Sequence, residues 1–207
     1  MTSSKPSSNR LVVSIFIALG IWLVMVLFAL SWFQSRYIHE FTQQQPSFLQ
    51  ASYTEQWFKQ LLSHLPTKTQ PARVIQLWQP DCLCNRFARP HALKAMEASD
   101  ALGYEHITLI PQSYVDQLSQ LQMLNPQTQI LTIDSQLLEA WPANPSVLIE
   151  GPLSQLLYIG PLGFGAFCSQ ASTSVIENQL NGVATNTSRA FYNQVGQGCF
   201  CQWPTEK

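Results

Sequence analysis

From Leu11 to Phe33 the chain runs 23 residues without a charged side chain. At about 1.5 Å per residue a helix of that length exceeds the roughly 30 Å hydrocarbon core of a bilayer, where only a helix lets one segment satisfy its own backbone N–H and C=O groups. The run predicts one transmembrane helix, residues 11–33. A cleaved signal peptide would carry an apolar region of about 7–15 residues, and Ala29-Leu30-Ser31 lies inside the run instead of after it. Residues 1–10 read as a polar cytoplasmic tail. Its Lys5 and Arg10, with the amino terminus, outweigh Arg36 on the far side, so everything after the helix is expected to be exported. The expected location is the inner (plasma) membrane, single-pass, with the C-terminal part periplasmic if the cell is Gram-negative.

The rest of the 207 residues holds one domain. Residues 34–52, with Gln43-Gln44-Gln45-Pro46, read as a linker, and residues 53–207 as the domain with a cysteine-containing tail. A net charge of −1 and 11% charged residues exclude an electrostatic nucleic-acid footprint. Helical spacing of Trp57, Leu61, Leu62 and Leu65 predicts a helix over 53–65 that stops at Pro66. Apolar runs at 73–78 and 106–110 predict strands, and 86–102 a helix containing Pro90. Further helices are expected at 113–124, 135–141, 169–180 and 184–195, with a strand or extended piece at 130–134. The runs on either side of Gly151-Pro152 predict a hairpin.

The chemistry concentrates where the strand ending at Trp78 breaks at Pro80-Asp81 and is followed by Cys82-Leu83-Cys84. A thiol at a strand-to-helix turn meets unsatisfied N–H groups and the positive end of the helix dipole, which favour thiolate. Arg86 and Arg89 act the same way, and Asp81 opposes them. The five cysteines fall as Cys82/Cys84, Cys168 and Cys199/Cys201. One intervening residue is fewer than the two to four usual between zinc ligands, so no metal site is assigned. Inside a helix, Cys82 and Cys84 would point about 200° apart, so they can bond only if Cys82 lies in a non-helical cap. Cys84 is the expected resolving thiol, with Cys199 or Cys201 folding back as the other possibility. Cys168 is expected to bridge one of those two as a structural disulfide, leaving one tail thiol free.

The block from Trp78 to Pro90 resembles the active-site segment of thioredoxins, in which a strand ends in Trp-x-x-x-Cys-x-x-Cys and the next helix is kinked by a proline five residues after the second cysteine. Here Asn85 stands at the second cysteine's position, and Gln76 where that family buries an aspartate. The resemblance covers residues 73–180. It implies an α/β, thioredoxin-like fold, a central mixed sheet flanked by helices, with residues 113–141 as an insertion. It also implies that Pro145 is a cis proline facing Cys82, that Asn144 offers its backbone to substrate, and that Trp78 packs beneath the turn. Among thioredoxin-like proteins the layout is most similar to single-span bacterial membrane proteins without an assigned function.

The expected function is that of a membrane-anchored thiol–disulfide oxidoreductase or isomerase acting on protein thiols or a redox partner, without a cofactor. Two alternatives come from other classes. One is a non-catalytic thioredoxin-like interaction domain. The other is a copper chaperone similar to the Sco type, with Cu(I) on soft thiolates. That pattern has three residues between its cysteines and a later histidine than His91 or His106.

Overall fold

The computed structural model describes residues 8–203 and divides into two units, Met1–Arg36 and Tyr37–Lys207. The first unit is built on helix α1, Ser8–Tyr37, whose residues 10–36 are long and apolar enough to span a membrane. Phe16, Trp22, Val24 and Phe28 are exposed along it, as side chains that meet lipid would be. The tail expected over residues 1–10 lies, as far as residue 7, outside the described residues.

The second unit contains, in order, β1 (Ile38–Glu40), α2 (Ala51–Leu62), β2 (Arg73–Leu77), α3 (Asn85–Ala101), β3 (Glu105–Pro111), α4 (Leu118–Leu124), β4 (Gln129–Ile133), α5 (Ser135–Glu139), β5 (Ser146–Glu150), β6 (Leu156–Pro161), β7 (Gly163–Phe164), β8 (Gln170–Ala171), α6 (Thr173–Ala184), β9 (Phe191–Tyr192) and β10 (Gln197–Cys199). Its central sheet is mixed, in the order β4-β3-β2-β5-β6-β9. β2, β3 and β4 run parallel, β5 is antiparallel to both β2 and β6, and β9 runs parallel to β6. The fold class is therefore α/β. β2 is buried at every position, as a central strand with both faces covered must be.

Alternation along the strands sorts the two faces. Ile75, Leu77, Ile107, Leu109 and Leu148 join Trp57, Phe58 and Leu61 of α2 in one core, closed by Trp141, Phe41 and Phe48. Trp57 and Trp141 pack with ring centroids 4.6 Å apart and planes tilted by 40°, and the Trp141 indole donates to Ser146 and to the Ala143 carbonyl. Gln76, Thr108 and Ile110 face the other way and, with Ala92 and Met96 of α3, line a cavity of about 190 Å³.

Of the linker expected over residues 34–52, the part from Ile38 on belongs to the fold of the second unit. Phe41 and Phe48 are fully buried, and β1 pairs antiparallel with β10 through Ile38–Cys199 to Glu40–Gln197. Two phenylalanines among the glutamines carry enough apolar surface to fix the segment to the core. Residues 112–117 form a 3₁₀ turn before α4, and the helix expected over 184–195 is absent. There α6 runs on to Ala184, and a turn with Asn186 at φ 55° leads to β9.

His106, on the α3 side of β3, is 8% exposed and neither ring nitrogen has a hydrogen-bond partner. Burial lowers its pKa from 6.5 to about 4. The unfolded chain therefore binds the proton first, so stability is full above pH 6.5 and is lost as the pH falls from 6.5 toward 4. The loss amounts to about 3 kcal/mol. His106→Leu is expected to flatten unfolding midpoints across that window; an unchanged slope would show that other groups set the acid sensitivity.

Candidate functional site

Between β2 and α3 the chain turns through Trp78–Cys84, and the turn is held by its own polar groups. The Cys82 amide donates to the Gln79 carbonyl (3.0 Å), which also accepts from Asn85 Nδ2 (2.5 Å). Cys82 precedes the helix, whose N-cap is Cys84. Tyr114, in the 3₁₀ turn of residues 112–117, donates its hydroxyl to Asp81 Oδ2 (2.9 Å) and braces the turn from outside. Burial and then the Asp81 carboxylate hold the Tyr114 phenol above its usual pKa, so it remains a donor there. Pro90 lies inside α3 as expected. Trp78 packs against Ile110, Tyr114 and Ile130 and lines the α3 cavity.

The tail comes back to this turn. Cys82 is bonded to Cys201 and Cys84 to Cys199, with Cα separations of 5.8 and 5.5 Å, ordinary for disulfides. Side chains two residues apart in an extended strand point the same way, so Cys199 and Cys201 both face the turn while Phe200 points into the core against Phe41, ring centroids 5.4 Å apart. Gly198 keeps that ring in place, since a Cβ there would come within 2.7 Å of it. The bridges are unequal in depth. Cys84 and Cys199 are fully buried, Cys82 is 5% exposed and Cys201 is half-buried.

The Asn144–Pro145 peptide is cis and opens β5 beside the turn. Asn144 exchanges both backbone hydrogen bonds with Cys201, its amide donating at 3.0 Å and its carbonyl accepting at 2.9 Å. Its side-chain amide donates to Gln79 Oε1 (3.1 Å) and to the Cys201 carbonyl (2.9 Å). The Asn144 carbonyl oxygen also lies 3.9 Å from Cys82 Sγ. The turn, the cis-proline strand and the tail thus meet at one sulfur.

Of the residues singled out from sequence, Cys82, Cys84, Asn144, Cys199 and Cys201 come together here. Cys82 and Cys84 are not bonded to each other, although the Sγ atoms of Cys82, Cys84 and Cys201 all lie within 4.8 Å of one another. Cys168 departs from expectation: among the described residues it is the cysteine without a bridge. It sits in the 3₁₀ turn Ala166–Cys168, its thiol pushed up to about 11 by burial, and at neutral pH it is an inert thiol. The tail has no cysteine left for it, because both are drawn to the turn by the Asn144–Cys201 pairing. Gln79, Asn85 and Tyr114 hold the turn without having been foreseen in that role. Two CxC motifs of equal spacing were the available signal for the double bridge.

A family model described as "Domain of unknown function (DUF6436)" matches residues 53–203. No curated protein matches the chain. Two solved structures share the fold. A hypothetical protein from Sinorhizobium meliloti is 13% identical at a TM-score of 0.51, covering 66% of this chain and 81% of its own. An uncharacterized conserved protein from Geobacillus kaustophilus is 14% identical at 0.50, covering 68% and 81%.

Proposed function

From a chain that belongs to the family described as a domain of unknown function (DUF6436), we propose a membrane-anchored thiol–disulfide oxidoreductase of thioredoxin-like type. The observation that carries the reading is the outer bridge, Cys82–Cys201, at the strand-to-helix turn and against the residue before a cis proline. The order of elements supports the thioredoxin-like part. β2, α3 and β3 form a parallel βαβ unit, β5 and β6 an antiparallel pair, and α6 follows. Cys82 is the nucleophile of the reduced form. Its place before the first turn of α3 favours the thiolate, and Arg86 adds a cation one turn on. Cys201 takes the resolving role expected of Cys84. Lys5 and Arg10 against Arg36 orient the helix so that the domain is exported, and thiols in a periplasm meet oxidising partners.

The backbone of Asn144 explains how a partner would be selected. Its N–H and C=O are taken by Cys201, in the manner of one added strand residue. An extended peptide whose cysteine replaced Cys201 would make the same two hydrogen bonds. The test is thiol-trapping mass spectrometry of the full chain in detergent across a glutathione series. The outer bridge is expected to open above about −270 mV, in the range of exchange proteins, with Cys201 alkylated as it opens. Opening only below about −300 mV, where structural disulfides lie, would sink the reading in favour of an interaction domain stapled by its cysteines.

A second reading has one observation in its favour, the three sulfurs within 4.8 Å. In the reduced protein, soft thiolates so placed suit Cu(I). Copper that binds stoichiometrically to the reduced chain and is lost in Cys84→Ser would favour a metal chaperone.

A further inference from the structure

The inner bridge presents a problem that the outer one does not. Cys84 and Cys199 are both fully buried, so an external thiolate has no line of attack on either sulfur. Cys201 is half-buried, and Cys82 Sγ, its partner, lies within 4.8 Å of Cys84 Sγ. The sulfur best placed to open the inner bridge is therefore already inside the protein.

We propose that Cys82 is an exchange hub that passes reduction from the outer bridge to the inner one. This rests on the exchange reading above. An incoming thiolate of a protein dithiol attacks Cys201 Sγ, forming a mixed disulfide there and releasing Cys82 as thiolate. Cys82, stabilised ahead of α3, attacks Cys84 Sγ: the Cys82–Cys84 bond forms, the Cys84–Cys199 bond breaks, and the electron pair leaves on Cys199, which takes a proton from water. The second thiolate of the dithiol attacks its own sulfur in the mixed disulfide, so the dithiol leaves as a disulfide and Cys201 leaves as a thiolate. One dithiol has been oxidised, and one of the protein's two disulfides has been reduced. The remaining disulfide is Cys82–Cys84, so both covalent links to the tail are gone. Two electrons are then enough to free the tail, although two bridges hold it. With Cys201 released, the Asn144 N–H and C=O become available to a peptide edge.

The position of Cys82 outside the helix makes the step possible, because two cysteines within helical turns would diverge. Cys168 takes no part, since it is buried and its thiol is held protonated.

Two variants of the full chain, oxidised and in detergent, isolate the hub: Cys201→Ser and Cys82→Ser/Cys201→Ser. Both lack the outer bridge and loosen the tail equally, and only the first keeps the Cys82 thiol. With reduced glutathione as the probe, the inner bridge is expected to open at least about tenfold faster in Cys201→Ser than in the double variant. Mass mapping of Cys201→Ser should also find a peptide closed between Cys82 and Cys84. Equal rates in the two variants would overturn the hub and leave the exchange reading standing. A wild-type outer bridge inert to glutathione would overturn both. Should the variants fail to fold, wild-type protein treated with equimolar dithiothreitol and trapped with acid decides. Cys82–Cys84 with both tail thiols free supports the hub; Cys84–Cys199 retained with Cys82 and Cys201 free refutes it.

Discussion

Replacing Cys82, Cys84, Cys199 and Cys201 together by serine is expected to cost about 7 kcal/mol of stability, whereas removing either bridge alone costs about 2 kcal/mol. The asymmetry comes from loop closure. The first bridge ties residues 115 or 119 apart, which in the chain-entropy description is worth about 5 kcal/mol at 25 °C. Once it is in place, the second closes only a small ring formed by Cys82-Leu83-Cys84 and Cys199-Phe200-Cys201, worth about 2 kcal/mol. Either bridge can serve as the first, so most of the loop-closure stabilisation is kept as long as one link to the tail remains. Guanidinium unfolding of the wild type, Cys82→Ser/Cys201→Ser, Cys84→Ser/Cys199→Ser and the fourfold variant measures this directly. Two single-bridge variants that each lose half of the fourfold effect would contradict the shared-loop account.

Arg73→Met is expected to lower stability by about 3–5 kcal/mol. Arg73 opens β2 with its side chain 2% exposed. Its Nε donates to Glu105 Oε2 at 3.0 Å and lies 3.5 Å from Glu150 Oε2, while Nη2 donates to the Pro66 carbonyl at 2.8 Å. Glu150, its cross-strand neighbour on β5, is just as buried and keeps only Lys68, at 3.2 Å, when the guanidinium goes. The cost is that of an under-compensated buried carboxylate. Adding Glu150→Leu to Arg73→Met should therefore recover part of the loss, and unfolding curves of the single and double variants decide it. A double variant worse than the single would show that the methionine, not the carboxylate, is what the core rejects.

The elements that carry the site were legible because they depend on local pattern. A buried strand ending before Pro80-Asp81, a cysteine at the turn, a proline inside the next helix and a strand opening at Pro145 are all short-range signals. What was not legible depends on partners far along the chain. Phe41 and Phe48 are isolated apolar residues in a glutamine-rich stretch, and only the tertiary structure shows that Trp141 and Phe200 complete a pocket for them. The pairing of cysteines failed for the same reason. Cys168 is nearer the tail in sequence than the turn is, but sequence distance does not rank bridges when backbone pairing with Asn144 sets where the tail lies. The helix expected at 184–195 gave way to packing of β9 beside β6.

The two cysteine pairs stand 115 to 119 residues apart, and β10 pairs with β1 at the opposite end of the domain's sequence. A polypeptide grows from its N-terminus, so Cys82 and Cys84 leave the ribosome well before the sulfurs they will end up holding. Through that interval each has the other as its nearest thiol. A Cys82–Cys84 bond made in that interval would become the two bridges only when Cys199 and Cys201 arrive and their thiols give up two electrons to an oxidant. Closing the two bridges in assembly would then repeat the reoxidation that completes a turnover, and an oxidising catalyst that serves one is competent for the other.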